Sequence, residues 1–237
     1  MELPILYEDA DVVAVAKPAG LITHSDGRTK EETAEDWFKE KYPVAAALPP
    51  EAPAGYVHRL DRDTSGVLIF AKNAAAYGFL RKVFHDREVK KTYLAFVYGA
   101  LKEKRGIIDF DIGRSRSDFR LRSAQPKAKG RLREALTRYE VVAETEGASL
   151  LKMNPETGRT HQIRVHLKAI HHPIIGDPLY APKQPLMLGL TRLGLHAFMV
   201  DFPLPSGGRA TIVAPLPDDL KPALARFPGA SEAFALP

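Results

Sequence analysis

The sequence predicts an α+β fold built on a mixed, largely antiparallel sheet flanked by helices. Helical and extended patterns alternate without the regular spacing of βαβ units, and many of the extended stretches are joined closely. No internal repeat, heptad or low-complexity tract interrupts them. A chain of 237 residues with 45% hydrophobic content fits one large domain or two small ones and can bury a sizeable core.

Taken in order, Leu3–Tyr7 and Val12–Ala16 read as two short strands around the turn Glu8-Asp9-Ala10-Asp11. Lys17-Pro18-Ala19-Gly20 ends that hairpin, because proline and glycine both break a ladder. Thr29-Lys30-Glu31-Glu32 has the spacing of a capping box and predicts a helix running to about Lys41, with Trp37 on its buried side. Pro43–Pro53, rich in alanine and proline, reads as a surface connection. Val67–Ala71 has the length and β-branched content of a buried strand. Asn73 can cap a helix from Ala74 to about His85. Val89–Gly99 is a further strand, with Tyr93, Ala95 and Val97 on one face and Thr92, Leu94, Phe96 and Tyr98 on the other.

The segment from Arg114 to Arg133 predicts a protruding hairpin or loop, and Ala135–Val142 and Ser149–Asn154 predict strands. Thr160 is placed to cap a helix on which Ile163, Leu167 and Ile170 share one face and His161, Arg164 and Lys168 another. Pro173–Tyr180 is a turn-rich connector. Leu195–Phe202 and Ala210–Val213 read as the last strands, and Asp218–Arg226 as a closing helix with Pro222 near its first turn.

Composition narrows the function classes. There is no cysteine, which removes disulfide frameworks, thiolate metal sites and thiol catalysis. No apolar run approaches a membrane span, and Met1-Glu2-Leu3-Pro4 lacks a secretory layout. A soluble, cytoplasmic protein with no membrane partner is expected. The net charge of +5 is unevenly distributed. Arg114, Arg116, Arg120, Arg122, Lys127, Lys129, Arg131 and Arg133, opposed only by Asp118, give that segment +7 and leave the rest of the chain at −2. A local positive field of this kind suits a polyanionic partner.

Two polar clusters carry the candidate chemistry. The first, His58-Arg59-Leu60-Asp61-Arg62-Asp63-Thr64-Ser65-Gly66, feeds directly into the Val67–Ala71 strand; the second runs from Glu156 to Leu167. His161 and His166 stand five apart, not the four that would put two ligands on one helical face, and the arginines beside Asp61 and Asp63 compete with any cation, so no metal site is expected. Thr64-Ser65-Gly66 lacks the Gly-x-Ser-x-Gly elbow, and no P-loop occurs. A carboxylate nucleophile fits better. Carboxylates serve at glycosidic carbons with oxocarbenium-like transition states, and an arginine such as Arg164 can keep such a carboxylate as Asp61 ionised through a bidentate pair.

These residues resemble the RluA family of RNA pseudouridine synthases. The resemblance lies in His58-Arg59-Leu60-Asp61-x-x-Thr64-Ser65-Gly66, Lys91-x-Tyr93-x-Ala95-x-Val97-x-Gly99, Thr157–His166 and His172-Pro173-Ile174-x-Gly176-Asp177-x-x-Tyr180. Ile5–Asp9, Val15–Gly20 and Leu195-His196-Ala197 match as well, in family order from residue 5 to about 200. The resemblance implies a single catalytic domain over residues 1–237 with a central active-site cleft. The signature begins within five residues of Met1, so the N-terminal S4 domain that many relatives carry is not expected here.

The implied activity is isomerisation of uridine to pseudouridine in ribosomal or transfer RNA, by a monomer, without cofactor or metal. Asp61 maps to the family's essential carboxylate, Tyr93 to the tyrosine packed on the target base, and Arg164 to the arginine that pairs with the aspartate. Arg59 maps to the residue that replaces the flipped base, and Leu195 to an apolar wall of the uracil pocket. The basic segment would contact RNA. Without the resemblance, Tyr93 and Leu195 read as core and Arg59 as a phosphate clamp. His58, His161 and His166 read as structural hydrogen-bonders rather than acid–base groups, His58 standing within the RNA-contacting motif. Two other readings stay open: an RNA-binding or remodelling protein without catalysis, and a carboxylate-dependent nucleoside glycosidase.

Overall fold

A computed structural model describes residues 1–25, 30–43, 48, 55–116, 118, 121–124 and 128–230. The elements in chain order are β1 (Ile5–Glu8), β2 (Val12–Lys17), α1 (Ala34–Lys41), β3 (Ser65–Ala71), α2 (Ala74–His85), β4 (Lys90–Tyr98), β5 (Arg105–Ile108) and β6 (Ile112–Ser115). They continue as β7 (Arg122–Ala124), β8 (Ala128–Arg133), β9 (Thr137–Thr145), β10 (Ala148–Pro155), α3 (Gln162–Ala169), β11 (Leu195–Pro203), β12 (Arg209–Val213) and α4 (Lys221–Leu224). The chain divides into two compact units: Met1–Lys91 with Ala197–Pro215, and Thr92–His196 with Leu216–Pro237.

In the first unit, β1, β2 and β3 form an antiparallel meander, β11 lies next to β3, and β12 pairs antiparallel with β11. Every residue of β3 is buried, as its continuous apolar run requires. Val67, Ile69 and Ala71 of β3 pack with Val12 and Ala14 of β2, Ala76, Leu80 and Val83 of α2, and Val200 and Phe202 of β11. Each large side chain so buried is worth roughly 1.5–3 kcal/mol relative to exposure. The α2 helix spans Ala74–His85 as predicted, and the Asn73 side chain accepts from the Ala76 N–H at 2.9 Å.

The predicted capping box of α1 lies one turn further on. Thr33 caps the helix, and the Asp36 carboxylate answers to the Thr33 N–H at 2.9 Å. Glu31 and Glu32 are not helical, and Thr29 lies outside the described residues. Both stretches have threonine three residues before an acid. The choice is made by a parallel bridge between Ile22 and Thr33, with the Ala34 N–H on the Ile22 carbonyl at 2.9 Å. Trp37 is buried as expected. Most of Pro43–Pro53 lies outside the described residues.

In the second unit the strand order is β4-β10-β9-β5, antiparallel throughout. Ala95 and Val97 of β4 pack with Leu151 and Met153 of β10 and with Ile163 and Leu167 of α3, so the predicted apolar face of α3 is the one that is buried. Of the hairpin or loop expected for the basic segment, the hairpin is what forms, with β6 paired antiparallel to β7. The segment forms a second, three-stranded sheet ordered β7-β6-β8, whose Ile112 and Ala124 pack with Val165 of α3 and Tyr180. The closing helix is also shorter than predicted: α4 is a single turn, after which Arg226 and Phe227 donate to the third residue back, and Pro228 ends the helical path.

Gly66 lies at φ +125°, and a Cβ there would stand 2.2 Å from the Ala197 carbonyl oxygen. Only a residue without a side chain lets β3 approach β11 this closely. Gly66→Ala is expected to cost about 3 kcal/mol or more through strain and overpacking, read as a fall in the urea midpoint. An unchanged midpoint would show that the two strands can part at little cost.

Candidate functional site

The first unit carries the Asp61 loop, and backbone contacts hold it. Lys17, the last residue of β2, is 1% exposed. Its ammonium donates to the carbonyls of Pro18 at 2.8 Å, Leu21 at 2.7 Å and Arg62 at 3.0 Å. The Arg62 carbonyl also accepts from the Gly20 N–H at 2.9 Å. On the other side of Asp61, Thr23 Oγ1 donates to the Leu60 carbonyl at 2.9 Å and accepts from the Leu60 N–H at 3.2 Å. Asp61 is thus fixed between two backbone-clamped neighbours, and its own carbonyl accepts from the Thr64 N–H at 3.1 Å. The Asp61 side chain is half-buried.

His58 is structural, as the sequence suggested. Its Nε2 accepts from the Ile69 N–H at 3.0 Å, and its ring stacks on Phe84 with centroids 5.0 Å apart. An accepting Nε2 carries no proton, and burial, aided by the charge of Lys91, pushes the imidazole down to about 3. Arg59 is exposed, with Nη1 3.4 Å from Nε2 of His24. The His24 ring stacks on Tyr56 at 4.5 Å.

The second unit carries Tyr93 and Arg164. Tyr93 is half-buried on β4, opposite Met153 of β10, on the face that holds Ala95 and Val97. Arg164 is 3% exposed. Its Nε and Nη2 donate to Asp177 Oδ2 and Oδ1, each at 2.8 Å, and its guanidinium lies 5.1 Å from the centre of the Tyr180 ring. Asp177 Oδ1 also accepts from the N–H groups of Leu179 at 2.9 Å and Tyr180 at 3.0 Å. A bidentate pair with its remaining lone pairs satisfied is the condition under which buried charges are tolerated. Leu195 is 3% exposed and belongs to the core of this unit.

The α3 helix begins differently from the prediction. Thr160 is not its cap; His161 takes that position in the left-handed conformation at φ 59°, without a side-chain cap bond. Gln162 organises the entrance instead. Its Oε1 accepts from Thr157 Oγ1 at 2.7 Å and from the Arg159 N–H at 2.9 Å. Its Nε2 donates to the Leu136 carbonyl at 3.0 Å and to Thr137 Oγ1 at 2.9 Å. His166 lies between Thr137 Oγ1 at 2.9 Å and the Phe110 carbonyl at 3.0 Å, and burial pushes its titration down. His161 Nδ1 is 2.9 Å from the Tyr180 hydroxyl.

Of the basic segment, Arg114, Arg116, Lys129, Arg131 and Arg133 are exposed and Arg122 is half-buried; Arg120 and Lys127 lie outside the described residues. The sequence reading gave no role to Lys17, Thr23, Gln162 or Asp177. The signals available were a lysine ending an apolar strand and an acid following Gly176 in a turn. Neither reveals which buried partner it meets. No group of three or more His, Cys, Asp or Glu side chains among the described residues is placed to hold a metal ion.

The two units define an α+β protein with a clamped carboxylate loop, a buried guanidinium anchored on its own carboxylate, and a cationic outer sheet, a set suited to a polyanionic substrate. Comparison with known proteins gives the family. The RNA pseudouridylate synthase family matches residues 11–169. An uncharacterized RNA pseudouridine synthase of Mycobacterium bovis is 42% identical over 226 residues, 94% of this chain and 72% of that protein. Ribosomal large subunit pseudouridine synthase D of Nitrosomonas europaea is 38% identical over 225 residues, 92% of this chain but only 63% of that protein. The solved structure of Human RNA Pseudouridylate Synthase Domain Containing 1 superposes with a TM-score of 0.76 at 26% identity, covering 100% of this chain and 96% of that one. The chain belongs to the RNA pseudouridylate synthase family.

Two outcomes test this geometry. Lys17→Met removes a donor from three carbonyls, of which, among the described residues, only that of Arg62 keeps another, the Gly20 N–H; it is expected to lower the unfolding free energy by about 2–4 kcal/mol and to speed amide exchange across residues 60–64. Unchanged protection there would mean that the ammonium does not hold the loop. For His58, the folded value of about 3 lies below the ordinary 6.5, so the unfolded chain binds more protons between those limits. The stabilisation it carries is complete above pH 6.5 and is lost as pH falls toward 3, by up to about 1.4 kcal/mol per pH unit. His58→Gln, which keeps an acceptor for the Ile69 N–H, is expected to flatten the fall in urea midpoint between pH 7 and pH 5. An equally steep fall in the variant would place the proton uptake elsewhere.

Proposed function

We propose that this protein isomerises uridine to pseudouridine within RNA, with Asp61 as the attacking carboxylate. The observation that carries the reading is the clamp on the Asp61 loop, in a chain that belongs to a family of RNA pseudouridine synthases. A nucleophile that must meet one ribose carbon gains from a backbone held on both sides, because misplacement of the attacking atom by about 1 Å can cost about a hundredfold in rate.

In this reading Asp61 bonds to C1′ of the target ribose as the glycosidic C1′–N1 bond breaks, its electrons passing to the uracil ring. The freed base turns and its C5 attacks C1′ as the bond to Asp61 breaks; C5 then gives up its proton and N1 takes one up, so that the product is an isomer of the substrate. The order of attack and release, adduct or glycal, is left open. Arg164 and Tyr93 complete the catalytic set, Tyr93 packing on the base and relaying the C5 proton, and Leu195 walls the pocket. Arg59, exposed on the same loop as Asp61, fills the gap left in the base stack. Extruding a base costs a few kcal/mol, which the cationic sheet offsets through phosphate contacts.

Two relatives named for the ribosomal large subunit favour ribosomal over transfer RNA as the substrate. The protein acts as a cytoplasmic monomer without cofactor or metal. Mapping of pseudouridines in total RNA from cells with and without the protein identifies the target.

Asp61→Asn is isosteric and removes only the nucleophile. It is expected to abolish tritium release from RNA carrying 5-tritiated uridine while RNA binding stays within a few-fold. Tritium release at the unaltered rate would remove Asp61 from the chemistry. Free uracil in the products of the unaltered protein, in place of pseudouridine, would make it a glycosidase.

A further inference from the structure

We propose that a groove formed by the three-stranded sheet and the turn before α3, lined by five arginines, is a binding site for backbone phosphates of the RNA; this rests on the RNA-directed function above. The groove has a volume of about 220 Å³ and is lined by Arg114 of β6, Arg122 of β7, Arg131 and Arg133 of β8, and Arg159 and Thr160 just before α3. No carboxylate is among its lining residues. The inference adds Arg159 to the basic segment and gathers part of that segment into one site.

The register explains why the site needs an anion. In an antiparallel sheet, residues directly opposite one another share a face. Arg114 lies opposite Arg122 on one side and opposite Lys129 on the other. Like charges in directly opposed positions destabilise a sheet, so this row is costly until a counter-charge lies across it. Ile112 and Ala124, the opposed pair next along the same face of β6 and β7, are buried in the core with Val165 and Tyr180 and fix the strands beside the charged row.

Arg159, from outside the sheet, is held at the groove by its Nε on the Glu134 carbonyl at 2.9 Å. The half-buried Arg122 is tied back through its N–H to the Tyr180 hydroxyl at 2.9 Å, the same ring that packs over Arg164. Planar guanidinium forks match phosphate oxygens in pairs. The volume is below the roughly 300 Å³ at which pockets for whole drug-sized ligands begin. It suits a phosphate with part of its sugar, entering from an extended strand, better than a complete nucleotide cofactor.

The test is the salt dependence of binding of the full chain to an RNA stem-loop, read by fluorescence anisotropy between 50 and 200 mM KCl. Arg131 and Arg133 are exposed on β8, so the double substitution Arg131→Gln and Arg133→Gln should leave the fold intact; circular dichroism checks this. The slope of log K against log salt is expected to fall in magnitude by about 1.4, at about 0.7 per lost phosphate contact. KM for RNA should rise with kcat unchanged. The control is Arg138→Gln, an exposed arginine paired with Glu156 outside the groove, which should leave the slope as it was.

An unchanged slope in the double variant, or an equal fall in the control, would overturn the proposal. So would loss of tripolyphosphate binding without a change in the RNA slope, which would assign the groove to a free anion, or loss of an acidic peptide alone, which would assign it to a protein. A groove-dependent slope in a protein that forms no pseudouridine would keep the site and refute the activity instead.

Discussion

A buried ammonium organises the first unit. Lys17 joins two carbonyls in the turn after β2 to that of Arg62, 45 residues further along the chain. Burying a charge is tolerable only when it is densely hydrogen-bonded, and here the hydrogen bonds define the shape of the polar loop. Thr23 completes the arrangement by closing both backbone groups of Leu60. A loop rich in charged residues would otherwise be among the most mobile parts of a protein. This one is fastened at the residues before and after Asp61 and passes at once into a strand that is buried along its whole length.

The second unit uses a related device with the signs reversed. A guanidinium is anchored by a fully buried carboxylate, which is in turn anchored by backbone N–H groups. Such pairs seldom add much net stability, because desolvation consumes most of the Coulomb gain. What they add is direction. Arg164 cannot rotate without breaking two hydrogen bonds and leaving its ring neighbour Tyr180. Gln162, two residues before Arg164, uses both ends of its amide to join the start of α3 to Leu136 and to Thr137 at the start of β9. The helix that presents Arg164 is thereby fixed at its entrance without a conventional cap.

The basic segment illustrates how an apolar minority decides structure. By charge alone it resembles a solvated loop. Ile112 and Ala124, with Leu121 beside them, find Val165 and Tyr180 to pack against. That small core is enough to turn the segment into a sheet, and the sheet in turn places arginines from three strands in one groove.

Much of this was legible in the residues. Unbroken apolar runs fixed the position of β3, period-two alternation the faces of β4, and the Asn73 cap the start of α2, because these signals are local and nothing nearby competes with them. The two polar clusters were legible as well, since His58–Gly66 and Thr157–His166 are dense in residues that chains seldom group together. The start of α1, the left-handed His161 at the head of α3 and the brevity of α4 were not. Each depends on a partner from elsewhere or on a backbone conformation that no local preference predicts: Ile22 for α1, and Thr157 and Leu136 for α3. The sequence by itself determined which elements exist and which side chains carry charge to them. Only the tertiary structure decided that Lys17 holds the Asp61 loop, that Asp177 holds Arg164, and that five arginines share a groove. Pairing between residues distant in the chain is settled by which buried polar groups can satisfy one another, and that is a property of the packed molecule alone.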